Sequence, residues 1–113
     1  MSDIRTLQQA VHQLAIDKGW YSTATTKTPE YIAYKIARIH SEISEALDEV
    51  RSPVDVCIRS ESGKPEGLPI ELADVVIRVL DLAGYLGIDL QDAIAVKHQY
   101  NKTRSYRHGS KTL

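Results

Sequence analysis

The sequence predicts an all-α protein, a four-helix bundle folding as one domain over residues 1–113. Three observations predict it. Apolar residues recur at helical spacing wherever a pattern is clear, the breaks between the patterns carry helix caps and stops, and 113 residues suffice for one core but not two. Hydrophobic residues make up 42% and charged residues 26%, the usual balance of a water-soluble domain.

Each element follows from its own signals. Ile4, Leu7, Val11, Leu14 and Ala15 share one stripe, giving a first helix over about 3–18 with Ser2 or Asp3 as N-cap and Gly19 as the stop. Thr28-Pro29-Glu30 starts the second, because proline at the first helical position loses no hydrogen bond. Its stripe is Ile32, Ile36, Ile39, Ile43, Leu47 and Val50, and it runs over about 29–51 until Ser52-Pro53 ends it. A loop rich in Ser, Pro and Gly fills the gap to Leu68. The third helix covers about 69–86, with Leu72, Val75, Val76, Val79, Leu82 and Ala83 expected inward. Gly87 suits the position after its end, and Asp89 caps a fourth helix over about 89–106 with Leu90, Ala93, Ile94 and Val96 on its apolar side.

Several function classes are disfavoured. The net charge of −1 supplies no positive field for a nucleic-acid polymer. No apolar run reaches the roughly 18–20 residues of a membrane span, and no signal-peptide core follows Met1, so a cytoplasmic location is expected. The single Cys57 cannot form an internal disulfide or a cysteine metal cluster. Gly63-Lys64-Pro65-Glu66-Gly67 lacks the spacing of a phosphate-binding P-loop and reads as a lid or a tether.

The carboxylates carry the information. Glu42-Ile43-Ser44-Glu45 and Glu71-Leu72-Ala73-Asp74 each place two acids three residues apart, hence on one helix face. Ile43 and Leu72 lie inside the motifs, so the acids should border the bundle interior. Four acids converging there repel unless a cation joins them, and oxygen-only ligands suit a hard ion, Mg²⁺ or Mn²⁺. Glu49, one turn on, is a further ligand or base candidate. A single such pair would be read as a solvated face; two pairs flanking apolar stripes favour the metal. A di-iron bundle would need Glu-x-x-His motifs, and neither acid pair is followed by such a histidine.

The last helix is basic. Lys97, Asn101 and Arg104 fall at i, i+4 and i+7, matching the point charge, amide and planar fork that hold phosphate oxygens. Arg107, His108 and Lys111 extend the cationic set. Read alone, such cations only complement the helix dipole. Trp20 is a candidate for stacking on a base or for covering the core. His12, off the strongest stripe, is expected at the surface, as is His40, and Arg78 is placed to pair with an acid or a phosphate.

Ser41-Glu42-Ile43-Ser44-Glu45, Glu71-Leu72-Ala73-Asp74-Val75-Val76-Ile77-Arg78 and Lys97-His98-Gln99-Tyr100-Asn101-Lys102-Thr103-Arg104 together resemble the MazG-like all-α nucleotide pyrophosphohydrolases. Ser41 replaces the leading Glu of the family's E-E-x-x-E, an accessory acid. The resemblance runs from about Ile36 to His108. It implies cleavage of a nucleoside triphosphate to the monophosphate and pyrophosphate, with Mg²⁺ held by Glu42, Glu45, Glu71 and Asp74. It implies further that Glu42 or Glu45 orients or deprotonates the attacking water, that Lys97, Asn101 and Arg104 grip phosphates, and that Trp20 stands near the base. A homodimer or homotetramer sharing sites between chains is also expected from it. Two other readings remain open: a non-catalytic helical module binding nucleotide and metal, and a pyrophosphohydrolase of a non-nucleotide substrate such as a phosphoribosyl compound. Base and sugar preference are not legible.

Overall fold

In a computed structural model, which describes residues 3–22, 25–51, 58–59 and 62–107, the chain is an all-α bundle of four helices. These are α1 (Ile4–Asp17), α2 (Pro29–Asp48), α3 (Leu68–Leu86) and α4 (Leu90–Thr103). A 3₁₀ turn over Glu49–Arg51 tightens the end of α2, where the sequence predicted continuous α-helix. Two strands that the sequence did not signal, β1 (Ile58–Arg59) and β2 (Pro65–Glu66), pair antiparallel ahead of α3. Two-residue strands are too short to leave a period-2 pattern. The expectation for Cys57 and those for His108 and Lys111 lie outside the described residues.

The caps are those the sequence offered. Asp3 accepts from the Thr6 amide at 2.7 Å, and Thr28 accepts from the Tyr31 amide at 3.2 Å with Pro29 at the first helical position. Gly87 takes a left-handed φ of 71°, which lets the Ile88 amide reach back to the Ala83 carbonyl at 2.9 Å and close α3. Asp89 caps α4 and holds Arg5 of α1 at 2.8 Å. Gln8 clasps the same turn, donating to the Ile88 carbonyl at 2.8 Å. The α3–α4 turn is thereby tied to the first two turns of α1.

α3 is the central helix, packed on one side by α1 and on another by α2, while α4 lies against α1. This arrangement overturns part of the predicted core. Leu80, Leu82, Ala83 and Ala46 are buried, but Ile36, Ile43, Leu47 and Val50 of the predicted α2 stripe are exposed, Leu47 to 70%. Leu72 and Val76 of α3 are exposed as well. Ile32 and Ile39 of that stripe are half-buried as expected, and Glu42 and Ala46, outside it, are the residues of α2 that are fully buried. The physical reason is the placement of α4. With α4 on α1, no helix among the described residues covers the far edges of α2 and α3, so their apolar stripes are exposed.

α1 and α3 approach closely at Gly84. A Cβ there would stand 2.7 Å from the His12 Cβ and 2.8 Å from its Cγ. Alanine normally favours a helix over glycine by about 1 kcal/mol, but here the obstruction is a ring root that cannot rotate away. We expect Gly84→Ala to lower unfolding stability by about 1–3 kcal/mol, read as a lower denaturant midpoint at unchanged slope. A stabilised variant would contradict this close packing.

Candidate metal centre and adjoining cleft

The 3.6-residue period carries Lys35, Ile39, Glu42 and Ala46 down one side of α2, facing α3. Glu42 is consequently buried, with 4% of its surface exposed, the one charged side chain so placed among the described residues. Glu45, one turn on, stays exposed. Across the helix pair, the Glu71 amide bonds to the Gly67 carbonyl at 3.0 Å, setting Glu71 in the first turn of α3 and aiming it at the same point. One carboxylate oxygen each from Glu42, Glu45 and Glu71 lie within 4.8 Å of one another.

Asp74, the fourth predicted acid, is not a member of that trio. It abuts Glu42, and its Oδ2 lies 4.0 Å from Arg78 Nε. Arg78 Nη2 makes the shorter contact, 2.9 Å to Glu42 Oε1. The sequence-based expectation of an Arg78–acid pair is met. Glu49 borders Glu71 from the 3₁₀ turn, and Lys64 approaches it from the β2 side.

Electrostatics record the crowding. Burial first, and then the neighbouring Asp74 and Glu45, push the Glu42 carboxyl up to about 7, against the opposing pull of Arg78. Burial and then Glu45 raise Glu71 above the ordinary carboxylate range. Glu42 Oε2 is buried with no hydrogen-bond partner. Its acidic neighbours can share a proton with it, but as carboxylates they offer it no donor. An orphaned, buried carboxylate oxygen beside two further acids fits a hard divalent cation, which would satisfy that lone pair and relieve the repulsion together.

Next to the acids a cleft of about 510 Å³ opens between α1, α2 and α3, and Asp74 and Arg78 form part of its wall. Trp20, Tyr31 and Tyr34 give it aromatic surface, with Trp20 70% exposed. Lys18, Lys35 and Arg38 give it positive charge. The far wall is a polar network on Asp81, which accepts from Tyr21 Oη at 2.7 Å and meets His12 Nδ1 at 2.8 Å and Lys35 Nζ at 3.7 Å. Tyr21 in turn stacks on Tyr85 with ring centroids 4.8 Å apart. His12, expected at the surface, is therefore half-buried and partnered. The signals were present in the sequence: Lys35, Arg38 and Glu42 stand at i, i+3 and i+7, and Asp74, Arg78 and Asp81 at i, i+4 and i+7.

The predicted phosphate-binding residues are elsewhere in the chain. Lys97 and Asn101 line a shallow depression on α4, and Lys97 lies 5.0 Å from the centroid of the Tyr100 ring. Arg104 does not continue the helical stripe as predicted, because α4 ends at Thr103 and Arg104 is its extended C-cap; its guanidinium still lies 5.9 Å from the Tyr100 ring centroid. The single chain packs α4 on α1 and does not bring this trio to the acids. Among the described residues no helix is long and apolar enough to cross a membrane.

Comparison with characterised proteins finds a 38-residue stretch 50% identical to a dATP/dGTP diphosphohydrolase of cyanophage S-2L. That stretch covers 34% of this chain and 36% of the relative, so the likeness spans about a third of each protein. No family model matches the chain. No solved structure matches it either.

Proposed function

We propose that the chain is a Mg²⁺-dependent nucleoside triphosphate pyrophosphohydrolase, releasing a nucleoside monophosphate and pyrophosphate. The observation that carries this reading is the buried, orphaned Glu42 Oε2 in a three-carboxylate cluster beside an aromatic and cationic cleft. The name of the cyanophage relative, a dATP/dGTP diphosphohydrolase, supports the same class of substrate.

Glu42, Glu45 and Glu71 would hold the cation, with Asp74 as an adjoining acid. When bound, Mg²⁺ would supply positive charge for the phosphate oxygens and polarise a water. The remaining work falls to the chain. Trp20, Tyr31 and Tyr34 offer faces on which a base can stack. Lys18, Lys35 and Arg38 counter the phosphate charge that four acids would otherwise repel. Glu45 is the better candidate for general base. It is exposed, whereas Glu42 is buried and tied to Arg78. As the water oxygen bonds to the α-phosphorus, Glu45 takes its proton, and the bond to the α–β bridging oxygen breaks to release pyrophosphate.

The uncovered stripes bear on assembly. We propose that Ile43, Leu47, Leu72 and Val76 pack against a second copy of the chain, in a homodimer or a homotetramer. Such packing would also offer a route by which Lys97, Asn101 and Arg104 of one chain reach the acids of another.

Two predictions follow from this site and surface. Pyrophosphate should be released from members of a panel of nucleoside triphosphates with Mg²⁺, and Glu45→Gln should lower kcat about 10²-fold or more while nucleotide binding persists. Silence across the panel, with metal and nucleotide still bound, would identify a binding module instead. In sedimentation equilibrium the wild type should be a dimer or larger, and Leu47→Asp should shift it to monomer. A monomeric wild type would refute the packing proposed for these stripes.

A further inference from the structure

Arg78 has a contradictory environment. Its Nη2 is ion-paired with buried Glu42 at 2.9 Å and its Nε stands 4.0 Å from Asp74, yet that Nε is buried with no hydrogen-bond partner. On the other half of the same ion pair, Glu42 Oε2 is orphaned too. A settled structural salt bridge between a guanidinium and a carboxylate normally satisfies both partners through two parallel bonds, since the fork matches the carboxylate. Here one arm is made, and each partner keeps one group unused. The side chain also lies on the cleft wall, next to open space.

Physical bookkeeping explains the half-made pair. With no metal, Glu42, Glu45 and Glu71 crowd together beside Asp74, and Arg78 is ion-paired to Glu42 and Asp74. A divalent ion entering the trio would take over Glu42 and satisfy Oε2. Arg78 would then be a surplus positive charge beside that ion, with an unpaired donor and a cleft at hand. A phosphate oxygen arriving in the cleft offers the partner that Nε lacks.

We infer that Arg78 is a placeholder cation: it neutralises Glu42 while the metal site is empty, yields that carboxylate to the metal, and turns to the phosphate of the incoming ligand. This deepens the proposed function and rests on its metal site. The consequence is a coupling between metal and phosphate. Without phosphate, Arg78 competes with the metal and weakens its binding. With phosphate present, that competition disappears, so each ligand tightens the other by the same factor. A merely structural Arg78 predicts the reverse for its removal, because a disordered acid cluster binds metal less well.

The test is Mn²⁺ binding, read by electron paramagnetic resonance of the free ion, with no turnover required. Arg78→Met keeps the apolar stem and removes the charge, and it should bind Mn²⁺ about 5-fold or more tighter than wild type. Arg78→Lys retains a competing charge and should stay near wild type. Inorganic phosphate should tighten Mn²⁺ binding to the wild type by a larger factor than to Arg78→Met, in which only the direct attraction between ion and phosphate is left. Equal or weaker binding by Arg78→Met overturns the inference, as does phosphate coupling in it that equals the wild type's. If Arg78→Met is too unstable to titrate, the Mn²⁺-induced rise in melting temperature replaces affinity: a larger rise than wild type supports the inference and an equal or smaller one overturns it. Glu42→Gln separates the two levels. Wild-type binding that is lost in Glu42→Gln, with Arg78→Met unchanged, refutes the placeholder and leaves the metal site standing. No Mn²⁺ binding by wild type or Arg78→Met refutes both.

Discussion

A carboxylate packed between two helices sets the terms for everything around it. Glu42 faces α3 because α2's period carries it there with Lys35, Ile39 and Ala46, and burying a charge is costly unless something compensates. Arg78 compensates in part through one 2.9 Å contact. Asp74, Glu45 and Glu71 work in the opposite direction, adding negative charge around the same point. A fold optimised only for stability would place an aliphatic residue at position 42. The surrounding acids make sense as a device for attracting something positive and small.

The rest of the molecule is arranged to hold that point steady and leave one side open. α3 supplies Glu71, Asp74, Arg78 and Asp81 along successive turns, so one rigid helix spans from the acid cluster to the far wall of the cleft. α1 is drawn against it at Gly84, which brings His12 to Asp81 and lets Tyr21 complete the wall. Burial pushes the Tyr21 hydroxyl up, keeping it a donor to Asp81. Gln8 and Arg5 tie the α3–α4 turn to α1. The cleft is thus framed by helices, while the apolar edges of α2 and α3 are exposed.

Much of this was legible in the sequence, and most of the failures share one cause. Helix positions, caps and the i, i+3 acid pairs depend on local periodicity, which a sequence displays directly. The neighbours of each helix do not. The stripe Ile36, Ile43, Leu47 and Val50 reads as core because apolar spacing marks a packing face, but spacing cannot say whether the partner belongs to the same chain. Lys97, Asn101 and Arg104 illustrate the same gap: their register was readable, whereas the packing of α4 on α1 was not. His12 reads as a surface residue because it lies off the strongest stripe of its helix, and only the approach of α3 at Gly84 gives it Asp81 as a partner. Lys35 and Arg38 were overlooked for a different reason. Their spacing to Glu42 is visible in the sequence, but the denser cations of the last helix give a stronger phosphate-binding signal.

The account turns on a divalent cation among Glu42, Glu45 and Glu71. The most direct measurement is anomalous diffraction from crystals grown with Mn²⁺. A peak coordinated by those three carboxylates, absent from a Glu42→Gln crystal grown alike, is the predicted result. A map in which the acids contact only Arg78 and water at saturating Mn²⁺ would contradict it.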